Sequence, residues 1–141
     1  MPPILSIVVP IHNEEPSILP LYDRLTVVME KVRRPYEILF VDDASTDRSF
    51  DLLANLVETD ARLKVIRLRR NFGQTAALSA GFDEAQGAVI VSMDGDLKGG
   101  GDQDRELAGL TDALKSAVAL NIEFHVNGCD LVLPPAHASV R

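Results

Sequence analysis

The chain contains a single cysteine, Cys129, so no disulfide can close within it. A reducing compartment such as the cytoplasm is the simpler expectation, with Cys129 as inert filler. Cations are also scarce: 14 Lys and Arg stand against 21 Asp and Glu, a formal net charge of −7. That deficit argues against nucleic acid as a partner and against broad contact with an anionic bilayer, because both attract basic patches. Any phosphate bound is then held locally. Long apolar runs are missing as well. Residues 4–11 are apolar but contain Pro10, lack a positive leader and are too short for a signal sequence or a membrane span. No other segment reads as transmembrane. Walker A and G-x-G-x-x-G patterns after a strand are absent too.

The 141 residues, 46% hydrophobic and 25% charged, suit one globular domain. Leu5, Ile7 and Val9 lie in a near-continuous apolar run, the pattern of a strand covered on both faces. After His12-Asn13-Glu14-Glu15, Pro16 can open a helix whose apolar positions Leu21, Leu25, Val28 and Val32 recur at helical spacing. Pro20 fits its first turn, and Arg33-Arg34-Pro35 stops it. The unit then repeats. Residues 38–41 predict a second strand, Asp42-Asp43-Ala44-Ser45-Thr46 a loop with capping residues, and Phe50, Leu53, Leu56 and Val57 a helix face. Residues 64–68 predict a third strand and 69–74 a loop; 75–86 predict a small-residue helix ended by Gly87, and 88–93 a fourth strand. This alternation implies right-handed crossovers and a mostly parallel α/β sheet flanked by helices.

The character changes at Lys98-Gly99-Gly100-Gly101, which divides residues 1–97 from an end over 98–141. Leu107, Leu110, Leu114 and Val118 mark an amphipathic helix there. Residues 122–126 and 131–133 flank Asn127-Gly128 as a hairpin on a type I′ turn, expected to pack on the same domain.

In open α/β sheets, ligands lie outside the carboxyl ends of the strands. Polar clusters follow three of the four strands at that edge: His12-Asn13-Glu14, Asp42-Asp43 and Asp94-Gly95-Asp96. Carboxylates at i and i+2 can face one way, and the glycine between them permits close backbone approach. Hard oxygen ligands suit Mg²⁺ or Mn²⁺, although Asp-Gly-Asp equally reads as a solvated turn. Asp42-Asp43 can accept hydrogen bonds from a base or ribose, or can serve as a helix N-cap. Asn13 and Glu14 read as ligand contacts or as a polar loop pair, and His12 as a ligand or a surface histidine. Arg69 and Arg70 reach phosphate or simply solvate the end of strand three. Gly73-Gln74-Thr75 can present N–H groups to an anion, or Thr75 can cap a helix.

Four segments in order resemble the family 2 glycosyltransferases of the Rossmann-like GT-A fold. They are Val8-Val9-Pro10-Ile11-His12-Asn13-Glu14-Glu15, Phe40-Val41-Asp42-Asp43-Ala44-Ser45-Thr46-Asp47, Arg70-Asn71-Phe72-Gly73-Gln74 and Met93-Asp94-Gly95-Asp96-Leu97. The third looks most like the polyprenyl-phosphate branch, whose members move sugar from a UDP- or GDP-sugar to dolichyl or undecaprenyl phosphate. The resemblance, over residues 4–97, implies that Pro10, His12, Asn13, Glu14, Asp42, Asp43 and Gly73 bind the donor. It further implies that Asp94, Gly95 and Asp96 meet ribose, diphosphate and metal, with Asp94 and Asp96 as metal ligands and Asp96 as the catalytic residue. His12 stands where the family often has Tyr. The expected chemistry is inverting, metal-dependent displacement at the anomeric carbon, with the protein cytoplasmic and peripheral at the membrane.

Family members continue past the Asp-x-Asp with further strands and an acceptor site, none recognisable in residues 98–141. That end reads as an unrelated or frame-altered tail, a graft, or a divergent cap completing the sheet. Donor binding without strong turnover is therefore expected of this chain alone, with an oligomer or second chain as one source of the missing half. Two other classes stand beside this one. A non-catalytic nucleotide-sugar-binding module fits the missing acceptor half, and a phosphoacceptor receiver domain fits an aspartate pair at a strand end, though its acidic pair would follow strand one and a strand-end lysine is lacking.

Overall fold

The computed structural model describes residues 3–93, 109, 111–112, 114–116, 118, 124–127 and 130–132. In chain order these form β1 (Leu5–Ile11), α1 (Glu15–Val32), β2 (Tyr36–Asp42), α2 (Ser49–Thr59), β3 (Leu63–Arg67), α3 (Gln74–Glu84), β4 (Val89–Met93), β5 (Phe124–Asn127) and β6 (Asp130–Val132). Helical backbone also occurs within residues 109–118. One six-stranded sheet has the order β3-β2-β1-β4-β5-β6. Its first five strands run parallel, and β6 pairs antiparallel with β5, Asn127 opposite Asp130. The expected hairpin thus adds to the sheet at β4; its turn at Gly128 lies outside the described residues.

Alternation along the strands decides which helix covers which face. Leu5, Ile7, Val9 and Ile11 of β1 join Ile38, Phe40, Val89 and Val91 in a core closed by α1, by Leu53 of α2 and by Leu114. Val8, Leu39, Val41 and Ile90 face the other way onto Ala77 of α3. Burial on both faces is why these strands read as continuous apolar runs. Pro10 sits in a central strand without breaking it. The Ile11 carbonyl accepts from the Asp43 N–H on the β2 side, so the neighbouring Pro10 nitrogen points toward β4, and pairing with β4 ends earlier, at Val8↔Ser92. No ladder donor is lost.

Four helix boundaries differ from expectation, one of them the end of α3, which stops at Glu84 with Ala85 extended at the capping position and not at Gly87. α1 begins at Glu15, which makes Pro20 an interior residue and not part of the first turn. Its ring leaves the Pro16 carbonyl without an i→i−4 donor, and both prolines are exposed to water. α3 begins at Gln74, so Thr75 lies inside the helix and Gly73, at φ 96°, takes the capping position without a side-chain bond. The left-handed backbone at Gly73 is one that a side chain disfavours. Arg48 takes the capping position of α2, also without a side-chain bond, and the Ser49 N–H is met by Asp47 Oδ1 at 2.9 Å.

Candidate functional site

The parallel order puts the carboxyl ends of β1, β2 and β4 side by side, and the loops after β1, β2 and β3 knit together there. Asn13, at φ 53°, donates its N–H to Ser45 Oγ at 2.9 Å. Its side-chain oxygen accepts from the N–H groups of Thr46 at 2.7 Å and Asp47 at 3.3 Å. Asparagine tolerates this left-handed geometry better than most residues. Ala44, at φ 54°, does not share that advantage; the turn it makes brings the Ser45 hydroxyl onto Asp42 Oδ1. The Glu14 N–H donates to Ser49 Oγ at 3.0 Å. Glu15 and Asp47 cap one another's helices: the Glu15 N–H meets Asp47 Oδ2 at 3.3 Å, and the Arg48 N–H meets Glu15 Oε1 at 2.9 Å. Burial raises the Asp47 carboxyl, but the Ser49 hydroxyl and N–H and the Glu15 N–H outweigh it and hold the group below its ordinary range.

The two adjacent aspartates have different surroundings. Asp43 is buried and spends both oxygens on the loop after β3, accepting from the Phe72 N–H at 2.8 Å and the Gly73 N–H at 2.9 Å. Asp42 is 0% exposed; Oδ1 is bound to Ser45, whereas Oδ2 has no hydrogen-bond partner among the described residues. The nearest cation to Oδ2 is Arg67, whose Nε lies 3.9 Å away and whose guanidinium stacks 4.2 Å from the Phe50 centroid. An unmet buried acceptor costs roughly 1–3 kcal/mol and calls for an explanation.

His12 is exposed, with both ring nitrogens placed by neighbours. Nδ1 lies 2.8 Å from the Asp43 carbonyl, which can only accept, so Nδ1 carries the proton. Nε2 lies 3.1 Å from Asn71 Nδ2 and accepts from it. The Asn71 amide orientation follows from its own oxygen, which accepts the Gly73 N–H at 3.1 Å.

The structure thus brings His12, Asn13, Asp42, Asp43 and Gly73 into one cluster, with Pro10 half-buried in the strand leading to it and Glu14 at the start of α1. Neither sequence reading of Asp43, ligand acceptor or helix cap, included its bonds to the β3–α3 loop. Ser45, Arg67 and Asn71 were not singled out as site residues; Ser45 and Asn71 stood inside the quoted motifs, and only tertiary pairing reveals their partners. β4 ends at this edge with Met93. Asp94, Gly95 and Asp96 follow it in sequence and lie outside the described residues. Among the described residues, no group of three or more His, Cys, Asp or Glu gathers to hold a metal ion, and no helix is long and apolar enough to cross a membrane. A cavity of about 430 Å³ opens at the opposite edge, between Arg34, Tyr36, Glu37, Arg62 and Lys64. Its Arg62 and Lys64 are already paired with Asp60 and Glu37.

A mostly parallel sheet with polar loops converging at its carboxyl edge defines a Rossmann-like α/β class, and similarity to solved structures narrows it to the GT-A fold. A mannosyltransferase from Pyrobaculum calidifontis, solved with GDP-Man and Mn²⁺, is 25% identical with TM-score 0.63 over 82% of this chain and 32% of its own. S. aureus TarS 1-349, solved with UDP, is 28% identical with TM-score 0.56 over 65% of this chain and 27% of its own. The family model for glycosyl transferase family 2 matches residues 6–128, and the chain belongs to that family.

Among curated relatives, an uncharacterized glycosyltransferase, YkcC, of Bacillus subtilis is 48% identical over 66% of this chain and 29% of its own length. The dodecaprenyl-phosphate galacturonate synthase of Rhizobium johnstonii is 45% identical over 67% and 28%. The undecaprenyl-phosphate 4-deoxy-4-formamido-L-arabinose transferase of Pectobacterium atrosepticum is 39% identical over 67% and 29%. The chain therefore spans less than a third of the length of the curated relatives it matches.

Proposed function

We propose that the chain is the donor-binding part of a family 2 glycosyltransferase that holds a UDP- or GDP-sugar at the carboxyl edge of its sheet for transfer to a polyprenyl phosphate. The observation that carries this reading is Asp42 Oδ2, fully buried and without a hydrogen-bond donor among the described residues, beside loops whose other polar groups are largely satisfied. The N–H donors of a nucleobase supply what that oxygen lacks. Beside it, His12 is exposed with its ring orientation fixed at both nitrogens, ready to stack on the base, and Pro10 and Glu14 border the same edge. Asp43 contributes by fixing the loop that carries Gly73.

Asp94 and Asp96, with Gly95 between them, offer carboxylate oxygens of the kind Mg²⁺ and Mn²⁺ prefer. Such a cation, when bound, neutralises charge on a departing diphosphate. In the reaction an acceptor oxygen forms a bond to the anomeric carbon as the bond to the diphosphate breaks, with inversion. A phosphate acceptor is already anionic near neutral pH and needs no strong base. Relatives named for dodecaprenyl and undecaprenyl phosphate support a lipid-borne acceptor, and with it a location at the membrane surface.

Isothermal titration of UDP-glucose and GDP-mannose with Mn²⁺, run beside a transfer assay on undecaprenyl phosphate, tests both halves. Saturable binding of one nucleotide is expected; absence of binding by either overturns the donor reading. The small share of the relatives' length that the chain spans keeps a second reading, a non-catalytic nucleotide-sugar-binding module, and binding without transfer selects it.

A further inference from the structure

We propose that the loop following β3 is a docking surface for an anionic lipid bilayer, with Arg69, Arg70 and Phe72 as its contact residues. A net charge of −7 argues against broad contact, but it averages over a very uneven distribution. Arg62, Lys64, Arg67, Arg69 and Arg70 fall between residues 62 and 70, and no Asp or Glu occurs from residue 61 to residue 82. β3 is the outermost strand on its side of the sheet, so residues 61–73 of this stretch run along one edge of the molecule, and the rest belongs to α3 on the sheet face.

The cations at the two ends of β3 differ in how they are used. At the amino end Arg62 is held by Asp60 and Lys64 by Glu37, each at 2.9 Å. At the carboxyl end Arg67 reaches Asp42 only at 3.9 Å. Arg69 and Arg70, both exposed, form no ion pair among the described residues. Phe72 stands beside them 50% exposed, with the Arg70 guanidinium 4.7 Å from its ring centroid.

A half-exposed ring beside arginines that form no ion pair among the described residues suits one environment in particular. At a bilayer surface the ring enters the headgroup boundary while the guanidinium groups meet lipid phosphates. A free phosphate would satisfy the arginines but leave the ring in water, which favours the bilayer as the occupant. The loop is also presented rigidly, because Asp43 pins the N–H groups of Phe72 and Gly73. Contact there would hold the carboxyl edge of the sheet against the lipid from which a polyprenyl phosphate projects, and in that sense the inference rests on the lipid-acceptor reading.

Vesicle flotation of the full chain tests it, using phosphatidylcholine with and without phosphatidylglycerol. Retention on the phosphatidylglycerol vesicles alone is expected, falling with added salt. Each arginine is expected to be worth about fivefold in partition, so Arg69→Gln with Arg70→Gln weakens retention about twenty-five-fold. Phe72→Ser weakens it as well. Lys31→Gln with Arg34→Gln removes the same charge from exposed positions elsewhere and is expected to leave retention unchanged. Failure of the unaltered chain to float with phosphatidylglycerol overturns the proposal, as does equal loss in the two double variants. Nucleotide titration of the same samples keeps the questions separate: binding without flotation sinks only the docking surface, and flotation without binding sinks only the donor reading.

Discussion

Asp42 and Asp43 are neighbours in one strand-end, both buried, and their oxygens have different partners, so substitutions there should separate binding from stability. Asp42→Asn keeps the shape but removes the charge facing Arg67 and halves the acceptor capacity of the side chain. It is expected to weaken nucleotide binding tenfold or more, about 1.5–3 kcal/mol for a hydrogen bond to a charged group, with little change in melting temperature. Titration calorimetry beside a thermal melt reads both, and unchanged affinity would remove Asp42 from the donor site. Asp43→Ala instead strands the Phe72 N–H and leaves the Gly73 N–H only the Asn71 side-chain oxygen. A loss of about 1–3 kcal/mol in urea denaturation is expected, together with weaker nucleotide binding as the loop is released. An unaltered midpoint would mean that these two bonds contribute nothing. At this scale the sequence picked out the acidic pair but could not divide the labour within it, because Phe72 and Gly73 lie 29 and 30 residues away from Asp43.

Among the elements, α3 is the one whose sequence is explained by its neighbour. Its sequence reads as a small-residue helix, and the sheet shows why the residues are small. A Cβ added at Gly81 would lie 2.3 Å from Val8 Cγ1 and 3.2 Å from Val41 Cγ2. In an isolated helix, Gly→Ala gains up to about 1 kcal/mol, but overpacking a buried branched side chain costs about 1–3 kcal/mol. The contact should win, since valine has little rotamer freedom with which to retreat. Gly81→Ala is therefore expected to lower the urea midpoint, and adding Val8→Ala should recover part of the loss. A stabilised single variant would show that α3 can shift outward freely.

For the whole molecule, three carboxyl groups tie distant segments together and set its acid tolerance. Burial raises Glu37, but the Ser6 hydroxyl, the Gln86 N–H and Lys64 overcome it and the group ends below its ordinary value of 4.5. Asp47 is lowered across the α1 and α2 caps, as described above, from 3.8. Asp60 is lowered from 3.8, chiefly by the Arg62 side chain, against the opposing effect of burial; it also accepts from the Tyr22 hydroxyl at 2.9 Å. Because these groups bind protons less readily when the chain is folded, they stabilise the fold fully above the unfolded values. That contribution drains away as pH falls through about 4.5 and below. Urea midpoints from neutral pH down to pH 3 should be level at first and then drop. Glu37→Gln is expected to make the drop shallower, and an equal drop would assign acid sensitivity to the aspartates alone.

The sequence by itself determined the alternation of strands and helices, the mostly parallel sheet, the carboxyl edge as the place where polar loops gather, and the family. Apolar runs of strand length and helical spacing are local properties, and four ordered motifs can be read without knowing what touches what. Only the tertiary structure decided that Asp43 is a clamp for the β3–α3 loop, that Asp42 keeps a buried oxygen unmet, that Asn71 and the Asp43 carbonyl fix the His12 ring, and that the hairpin extends the sheet beside β4. Each of these depends on which distant segments the parallel crossovers set side by side. Hydrogen-bond partners and burial are properties of that juxtaposition, and no stretch of neighbouring residues encodes them alone.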